Sequence, residues 1–282
     1  GRAAALPTGI CPRRPCLILR RISKAAGTYA SRLLQRVVGA EYLTVVKDDF
    51  PVDPRTPYAE TRARHFLVGT MRNPCSMSLS LARHRPEKPF LARKVGGDAA
   101  RLRPGFNGSE YRGWVEAAMV GDVGYSSYSF WASFLKPECL LPPEQDPFSE
   151  NPRQCSAQTM RHDLATMSPS AVADCWLRRE SVLPDLRICL TMFERLHPGE
   201  AGVVNWKVVE DIERGGTQIT TDLRHSLSAE KEEQCSEIFQ EPEIEGLLKR
   251  ADKHLFHAFG YSKCCQPSER PLRLTSRHRA TH

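Results

Sequence analysis

The chain of 282 residues is 40% hydrophobic and 26% charged, an ordinary globular balance with room for one large α/β domain or two small ones. Forty lysines and arginines against 33 acidic residues give a net charge of +7, which points to an anionic ligand or partner. No run approaches the roughly 18 apolar residues that span a bilayer, and the ten cysteines form no CxxC pair and no His/Cys cluster at zinc spacing.

Taken in chain order, CLILRRI (Cys16 to Ile22) reads as a short buried strand, followed by the turn SKAAGT. Ala30, Leu33, Leu34, Val37 and Val38 then fall on one face of a helix that Gly39 is suited to stop. Tyr42 to Val46 is β-branched and apolar, a second strand. KDDFPVDPRTP is a loop of turn formers, and His65 to Met71 is a third strand, with His65 opening it in a structural role. RNPCSMSLSLARH leaves that strand, with Pro74 suited to the first turn of a helix.

From about Pro86 to Met167, Pro, Gly, Ser and aromatic residues interleave, which predicts an excursion with one or two short helices. Regularity returns at Cys175 to Ser181, predicted as a strand, after which Leu183, Leu186, Leu190 and Phe193 line a helical face. Ser228 is suited to cap a helix with Glu230, Glu232 and Glu233 in its first turn. A last helix is predicted from roughly Glu243 to Phe259, stopped by Gly260.

This order predicts a three-layer α/β/α fold on a central parallel sheet with crossover helices. Residues 1–265 are expected to form one domain with an inserted region at about 86–167. Residues 266–282 read as a disordered basic tail carrying Arg270, Arg273, Arg277 and Arg279, a solvated charge run rather than a nucleic-acid-binding element. The cysteines leave two readings open, disulfides in a secretory compartment or buried free thiols. Asn107 to Ser109 fits an N-glycosylation acceptor. The chain begins at Gly1 rather than Met, which leaves room for an upstream leader or anchor.

Two turns carry chemistry. A strand that runs through a tight turn into a helix aims backbone N–H groups at one spot, where the helix dipole adds positive potential. In SKAAGTY, the small residues Ala25, Ala26 and Gly27 let an anion approach the backbone, Thr28 offers a hydroxyl and Lys24 a mobile charge. The lysine precedes the glycine, so the turn does not match GxxxxGK[ST]. At the second turn, Arg72 sits at the C-terminal end of a strand, the edge where open α/β sheets bind ligands. Ser80 follows eight residues later; a guanidinium and a hydroxyl can grip one phosphate.

Together the two turns resemble the sulfotransferases that use 3'-phosphoadenosine-5'-phosphosulfate, PAPS. In that family a strand-turn-helix reading roughly Pro-Lys-x-Gly-Thr-Ser/Thr binds the 5'-phosphosulfate, and an Arg followed eight residues later by Ser binds the 3'-phosphate. The matching stretches are SKAAGTY (Ser23 to Tyr29) and Arg72 with Ser80. The resemblance extends weakly to CWLRRESVLPDL and to ADKHLFHAFGY, which look like later segments of the Golgi-type and algal or bacterial members. It implies a P-loop-like sheet, PAPS as sulfuryl donor and no metal. It also implies Lys24 as the group that meets the oxygen bridging phosphate and sulfuryl, with Ser23, Ala25, Ala26, Gly27, Thr28 and Tyr29 around the 5'-phosphate. Ser23 stands where the family usually has proline, Tyr29 where it has a second hydroxyl, and the RKGxxGDW loop of the cytosolic class is absent.

On the acceptor side, a hydroxyl attacking sulfur needs a general base. Asp48 in VVKDDF loosely resembles the Lys-Glu-x-x-Phe stretch in which heparan-type sulfotransferases carry theirs, and His84 is a second candidate. Trp114, Tyr125, Tyr128 and Trp131 have two readings, as stacking platforms for a sugar or aromatic acceptor or as local core. Arg93, Lys94, Arg101 and Arg103 form a basic run that fits an anionic glycan or a solvated face. Glu180 and Glu194 are expected as buried partners of nearby arginines. The function expected is sulfuryl transfer to a carbohydrate or other acceptor, in the Golgi lumen or on its membrane, with a cytoplasmic location as the alternative. The competing functions are a P-loop nucleotide kinase or NTPase and a non-catalytic PAP-binding protein on the same scaffold.

Overall fold

The computed structural model describes residues 16–22, 24–46, 65–83, 102, 105–136, 139, 155–197, 202–215 and 235–269. Four short strands, β1 (Leu17–Arg20), β2 (Leu43–Val46), β3 (Phe66–Met71) and β4 (Cys175–Arg178), form an all-parallel sheet in the order β2-β1-β3-β4. Between them and after them come α1 (Gly27–Val38), α2 (Pro74–Arg83), α3 (Gly108–Ala118), α4 (Tyr125–Phe134), α5 (Ala157–Thr166), the single turn α6 (Pro169–Val172), α7 (Val182–Leu196), α8 (Trp206–Glu213), α9 (Pro242–Ala251) and α10 (Lys253–Phe259). The chain is an α/β fold, mostly helical around this sheet.

Both faces of the sheet are buried, which is why its strands read as continuous apolar runs rather than alternating ones. Leu17, Leu19, Phe66, Val68, Cys175 and Leu177 pack with α1, α7 and α8 on one face. Ile18, Leu67, Met71 and Trp176 pack with α2, α3, α4, α5, α9 and α10 on the other. Gly69 on β3 has no side chain because the Trp176 ring of β4 lies across it. That ring sits against Phe134 and Phe259, each with centroids 4.9 Å away.

Several expectations are corrected. The strand expected over 175–181 ends at Arg178, because Asp185 Oδ2 accepts both the backbone N–H and the Nε–H of Arg178 at 2.9 Å and draws the chain into a 3-10 turn, Arg179–Ser181. In α7 the buried face runs through Val182, Leu186, Cys189, Leu190 and Phe193, with Leu183 at its margin. Within 86–167 the described residues hold three helices of ten or eleven residues. Of the two readings for Trp114, Tyr125, Tyr128 and Trp131, the structure takes core: all four are buried, and Trp131 Nε1–H donates to Asp163 Oδ2 at 2.8 Å.

The helix expected from Glu243 to Phe259 is two helices broken at Asp252, whose carboxylate turns away to accept the Ser127 N–H at 2.8 Å. Ala251, at the same break, accepts the Gly124 N–H at 2.9 Å, so the interruption seats the N-terminus of α4. Gly260 ends α10 in the left-handed conformation, φ 68°. Asn107 is the N-cap of α3, paired reciprocally with Glu110, and its side chain is exposed.

The cysteines are paired: Cys75–Cys264, Cys139–Cys155, Cys175–Cys189 and Cys235–Cys265, with Cys16 also disulfide-bonded. No free thiol occurs among the described residues. Residues 266–269 of the expected tail still pack on the fold, Gln266 accepting from Asn73 Nδ2 at 2.9 Å, and 270–282 lie outside the described residues. None of the described helices is long and apolar enough to cross a membrane.

Candidate functional site

β1 sends its connection to β2 on one side, and the chain then returns to form β3 on the other. The C-terminal edge between β1 and β3 is therefore the point where the strand order reverses, the position at which open parallel sheets form a ligand crevice. The two turns singled out in the sequence are the exits of these two strands.

The β1 exit leaves the ladder in three steps. Arg21 N–H donates to Val46 O at 3.2 Å, Ile22 N–H donates to Thr70 Oγ1 at 3.1 Å, and Ala25 N–H closes a turn on Ile22 O at 3.2 Å. Lys24 and Ala26 take positive φ, 65° and 60°, while Ala25 and Gly27 between and after them do not. Such alternation of hand turns successive N–H groups inward to form an anion-binding concavity. The turn opens directly into α1, whose N-terminus has neither a side-chain cap nor an acidic residue in its first turn. Two non-glycine residues in left-handed conformations cost of order 1 kcal/mol or more each. The buried Ala25, with β1 before the turn and α1 after it, holds them there.

Thr28 is exposed, and its hydroxyl accepts from Arg21 Nη2 at 3.0 Å. The sequence reading assigned nothing to Arg21. A Cβ on Gly27 would stand 2.6 Å from Arg21 Nε, so the glycine makes room for the arginine that crosses the turn. Tyr29 places its ring in the core with Leu17 and Leu33, which leaves its backbone as the part that lines the turn. Ser23 lies outside the described residues, as do Asp48, His84, Arg93, Lys94, Arg101, Arg103 and Ser228.

Arg72 follows β3 directly and donates from Nη1 to the Lys24 carbonyl at 3.4 Å, joining the two exits. Its Nε is buried and finds no hydrogen-bond partner among the described residues. Burial, then Arg179 and Arg83, pushes the Arg72 pKa down to about 9, against the opposing pull of Glu180 and Tyr261. At neutral pH the guanidinium remains charged. Ser80 is half-buried in the second turn of α2.

Behind Arg72 lies a polar network that the sequence reading only touched. Glu180 Oε1 accepts the Asn73 N–H at 2.8 Å, and Glu180 Oε2 accepts the Tyr261 hydroxyl at 3.2 Å. Burial raises the Glu180 pKa, while the Asn73 bond, Arg72 and Arg179 oppose the rise. Glu180 therefore faces two arginines as expected, whereas Glu194 accepts from Trp206 Nε1 at 2.9 Å. Burial, with Glu180 beside it, raises Tyr261. Asn73 is fully buried and donates from Nδ2 to Lys263 O and Gln266 O at 2.8 and 2.9 Å, while its Oδ1 accepts the Cys75 N–H at 3.1 Å. The Arg178–Asp185 ion pair, 2.7 Å apart and buried, fixes the root of this turn, with Ser181 also donating to Asp185.

The signal for Glu180 and Tyr261 was the run RRES and the FGY ending, neither of which says by itself that the two meet. Among the described residues, no group of three or more His, Cys, Asp or Glu could hold a metal. Chemically, the edge offers a turn of alternating hand at an uncapped helix, the guanidiniums of Arg21 and Arg72, and the Ser80 hydroxyl. No family model matches the chain, and no curated protein or solved structure matches it.

Proposed function

We propose that the chain is a PAPS-dependent sulfotransferase, moving a sulfuryl group from PAPS to a hydroxyl or amine of a carbohydrate or other acceptor and releasing PAP. One observation carries this: the turn holding Lys24 and the strand exit holding Arg72 stand side by side at the switch point, joined by a hydrogen bond. A nucleotide phosphorylated at both its 5' and 3' positions needs two anion sites on one edge of the sheet. An uncapped helix N-terminus and an arginine with a free buried Nε suit those two roles. The three-layer, P-loop-like sheet of that family is the fold proposed on the same grounds.

In the transfer, an acceptor oxygen lone pair attacks sulfur in line. The bond between sulfur and the 5'-phosphate oxygen breaks with its electrons on PAP, and the acceptor proton passes to a base. Lys24 and the first N–H groups of α1 stabilise the charge that develops on the leaving phosphate. Arg72 and Ser80 hold the 3'-phosphate. Lysine, arginine and backbone donors supply the positive charge, so the scheme needs no metal. Asp48 is proposed as the base from its place after β2. The paired cysteines support an oxidising compartment, the Golgi lumen in this reading.

The test is thermal stability with PAP and with ATP·Mg, since a ligand that binds only the native state raises Tm by mass action. PAP should raise Tm, ATP·Mg should not, and Lys24→Ala and Arg72→Ala should reduce the PAP shift. Stabilisation by ATP·Mg alone would replace this function with a kinase or NTPase. PAP binding with no transfer to any of a panel of glycan acceptors would leave a non-catalytic PAP-binding protein.

A further inference from the structure

Arg72 is surrounded mainly by like charge. Arg179, on the turn after β4, and Arg83, at the end of α2, both act on it, and among the described residues Glu180 is the carboxylate that opposes them. The hydrogen bond to the Lys24 carbonyl, at 3.4 Å, is a long tether for Arg72. What fixes the neighbourhood is Glu180. Its two oxygens are held on opposite sides, by the Asn73 N–H and by the Tyr261 hydroxyl.

Both supports trace to the C-terminal segment. Tyr261 belongs to it, and Asn73 is clamped by its Lys263 and Gln266 carbonyls. Cys264 is bonded to Cys75 in the first turn of α2, and Cys265 to Cys235. Cys264 N–H also donates to Glu245 Oε1 at 3.2 Å, and Ser268 Oγ to Phe259 O at 2.6 Å. A strap from 261 to 268 is thus tied to α2, to α9 and to the end of α10, and its inner side carries the groups that hold Glu180 and Asn73.

We propose that Glu180 is the positioning residue of the 3'-phosphate site, setting, through the Asn73 N–H, the β3 exit that carries Arg72 and the first turn of α2, and that the C-terminal strap holds Glu180 in place through Tyr261. The proposal rests on the sulfotransferase function above. With Arg72 and Arg179 against one carboxylate, the cluster keeps a net positive charge, which suits a phosphate monoester. Tyr261 donates to Glu180 Oε2 from a buried site and so fixes the carboxylate whose other oxygen holds the Asn73 N–H.

The test separates the 3'-phosphate from the rest of the nucleotide. Affinities for PAP and for adenosine 5'-phosphate, which lacks that phosphate, are measured by calorimetry on the disulfide-intact protein, on Glu180→Gln and on Tyr261→Phe. Glutamine keeps the shape and one acceptor but removes the charge, and phenylalanine removes a single hydroxyl. PAP affinity should fall on the order of tenfold in Glu180→Gln and about fivefold in Tyr261→Phe, with adenosine 5'-phosphate affinity within twofold of wild type in both. If the two nucleotides weaken together, Glu180 serves the fold at large and the proposal is overturned. Tighter PAP binding in Glu180→Gln also overturns it, since Glu180 would then be only an opposing charge. Wild-type protein that binds PAP no better than adenosine 5'-phosphate would instead refute the assignment of Arg72 to the 3'-phosphate. If Glu180→Gln fails to fold, unchanged PAP affinity in Tyr261→Phe is enough to overturn the strap's role.

Discussion

Replacing Asp252 by asparagine should stabilise the protein at neutral pH and remove a pH dependence that the wild type shows in mild acid. Asp252 is fully buried at the break between α9 and α10. One oxygen accepts the Ser127 N–H at 2.8 Å, and the other, Oδ2, has no hydrogen-bond partner among the described residues. Burial pushes its pKa from 3.8 up to about 6, against the opposing bond from the Ser127 N–H.

For an acid whose folded pKa lies above its unfolded value, the folded state binds the extra proton. The associated stability is present below pH 3.8 and is lost as pH rises through about 6. A shift of about 2 units corresponds to on the order of 3 kcal/mol. Asparagine cannot ionise and keeps an oxygen for Ser127. It forfeits the favourable charge at the N-terminus of α4, of order 1 kcal/mol or less. The net gain above pH 6.5 is then about 2 kcal/mol, a rise in Tm on the order of 5 °C for a chain of this size.

The assay is a series of thermal melts of both proteins from pH 4 to 7.5. Tyr111, a titratable group electrostatically linked to Asp252, is held neutral through this range by its own burial. The difference in Tm should open between pH 4 and 6 and stay level above. A difference that is constant with pH, or of opposite sign at pH 7, would show Asp252 ionised throughout and the dipole of α4 outweighing desolvation.

Two further substitutions test the local geometry. Ala26→Gly should stabilise the protein by about 1 kcal/mol in a denaturant titration, because glycine adopts the left-handed conformation at φ 60° without steric cost; a loss of stability would mean the alanine methyl contributes more packing than strain. Gly69→Ala should destabilise by about 1–3 kcal/mol or more through overpacking, since the new methyl enters the Trp176 ring, and a neutral result would mean that ring can leave its place between Phe134 and Phe259.

Most of the central α/β unit was legible because its signals are short-range. The runs at Cys16, Tyr42, His65 and Cys175 are apolar and bounded by turn formers, and each holds a strand of the sheet. Apolar spacing and Pro74 marked α1 and α2 in the same way. The reading failed where a side chain overrode local preference. Glu243 to Phe259 has a continuous helical pattern, yet Asp252 leaves it to satisfy the N-terminus of α4, 125 residues earlier. The stretch from Pro86 to Met167 looked loose in part because α4 is built of buried serine and aromatic residues and shows no clear polar face.

For the candidate site, the two turns could be found in the sequence because backbone hand, small residues and a helix start are all local properties. What they do together could not. Arg72 and Lys24 are 48 residues apart, Asn73 and Glu180 are 107 apart, and Asn73 and Lys263 are 190 apart. The order β2-β1-β3-β4 decides that the β1 and β3 exits are neighbours, and that order exists only in the assembled sheet, whose two faces are both packed. The disulfides follow the same logic, since a cysteine's spacing says nothing about the partner that packing brings within reach. Periodicity and turn residues alone determined an α/β chain with a tight strand-to-helix turn at Lys24 to Gly27. Tertiary packing decided that Arg21, Arg72, Glu180 and Tyr261 gather around that edge, because the contacts that join them are long-range and hold only once the core has formed.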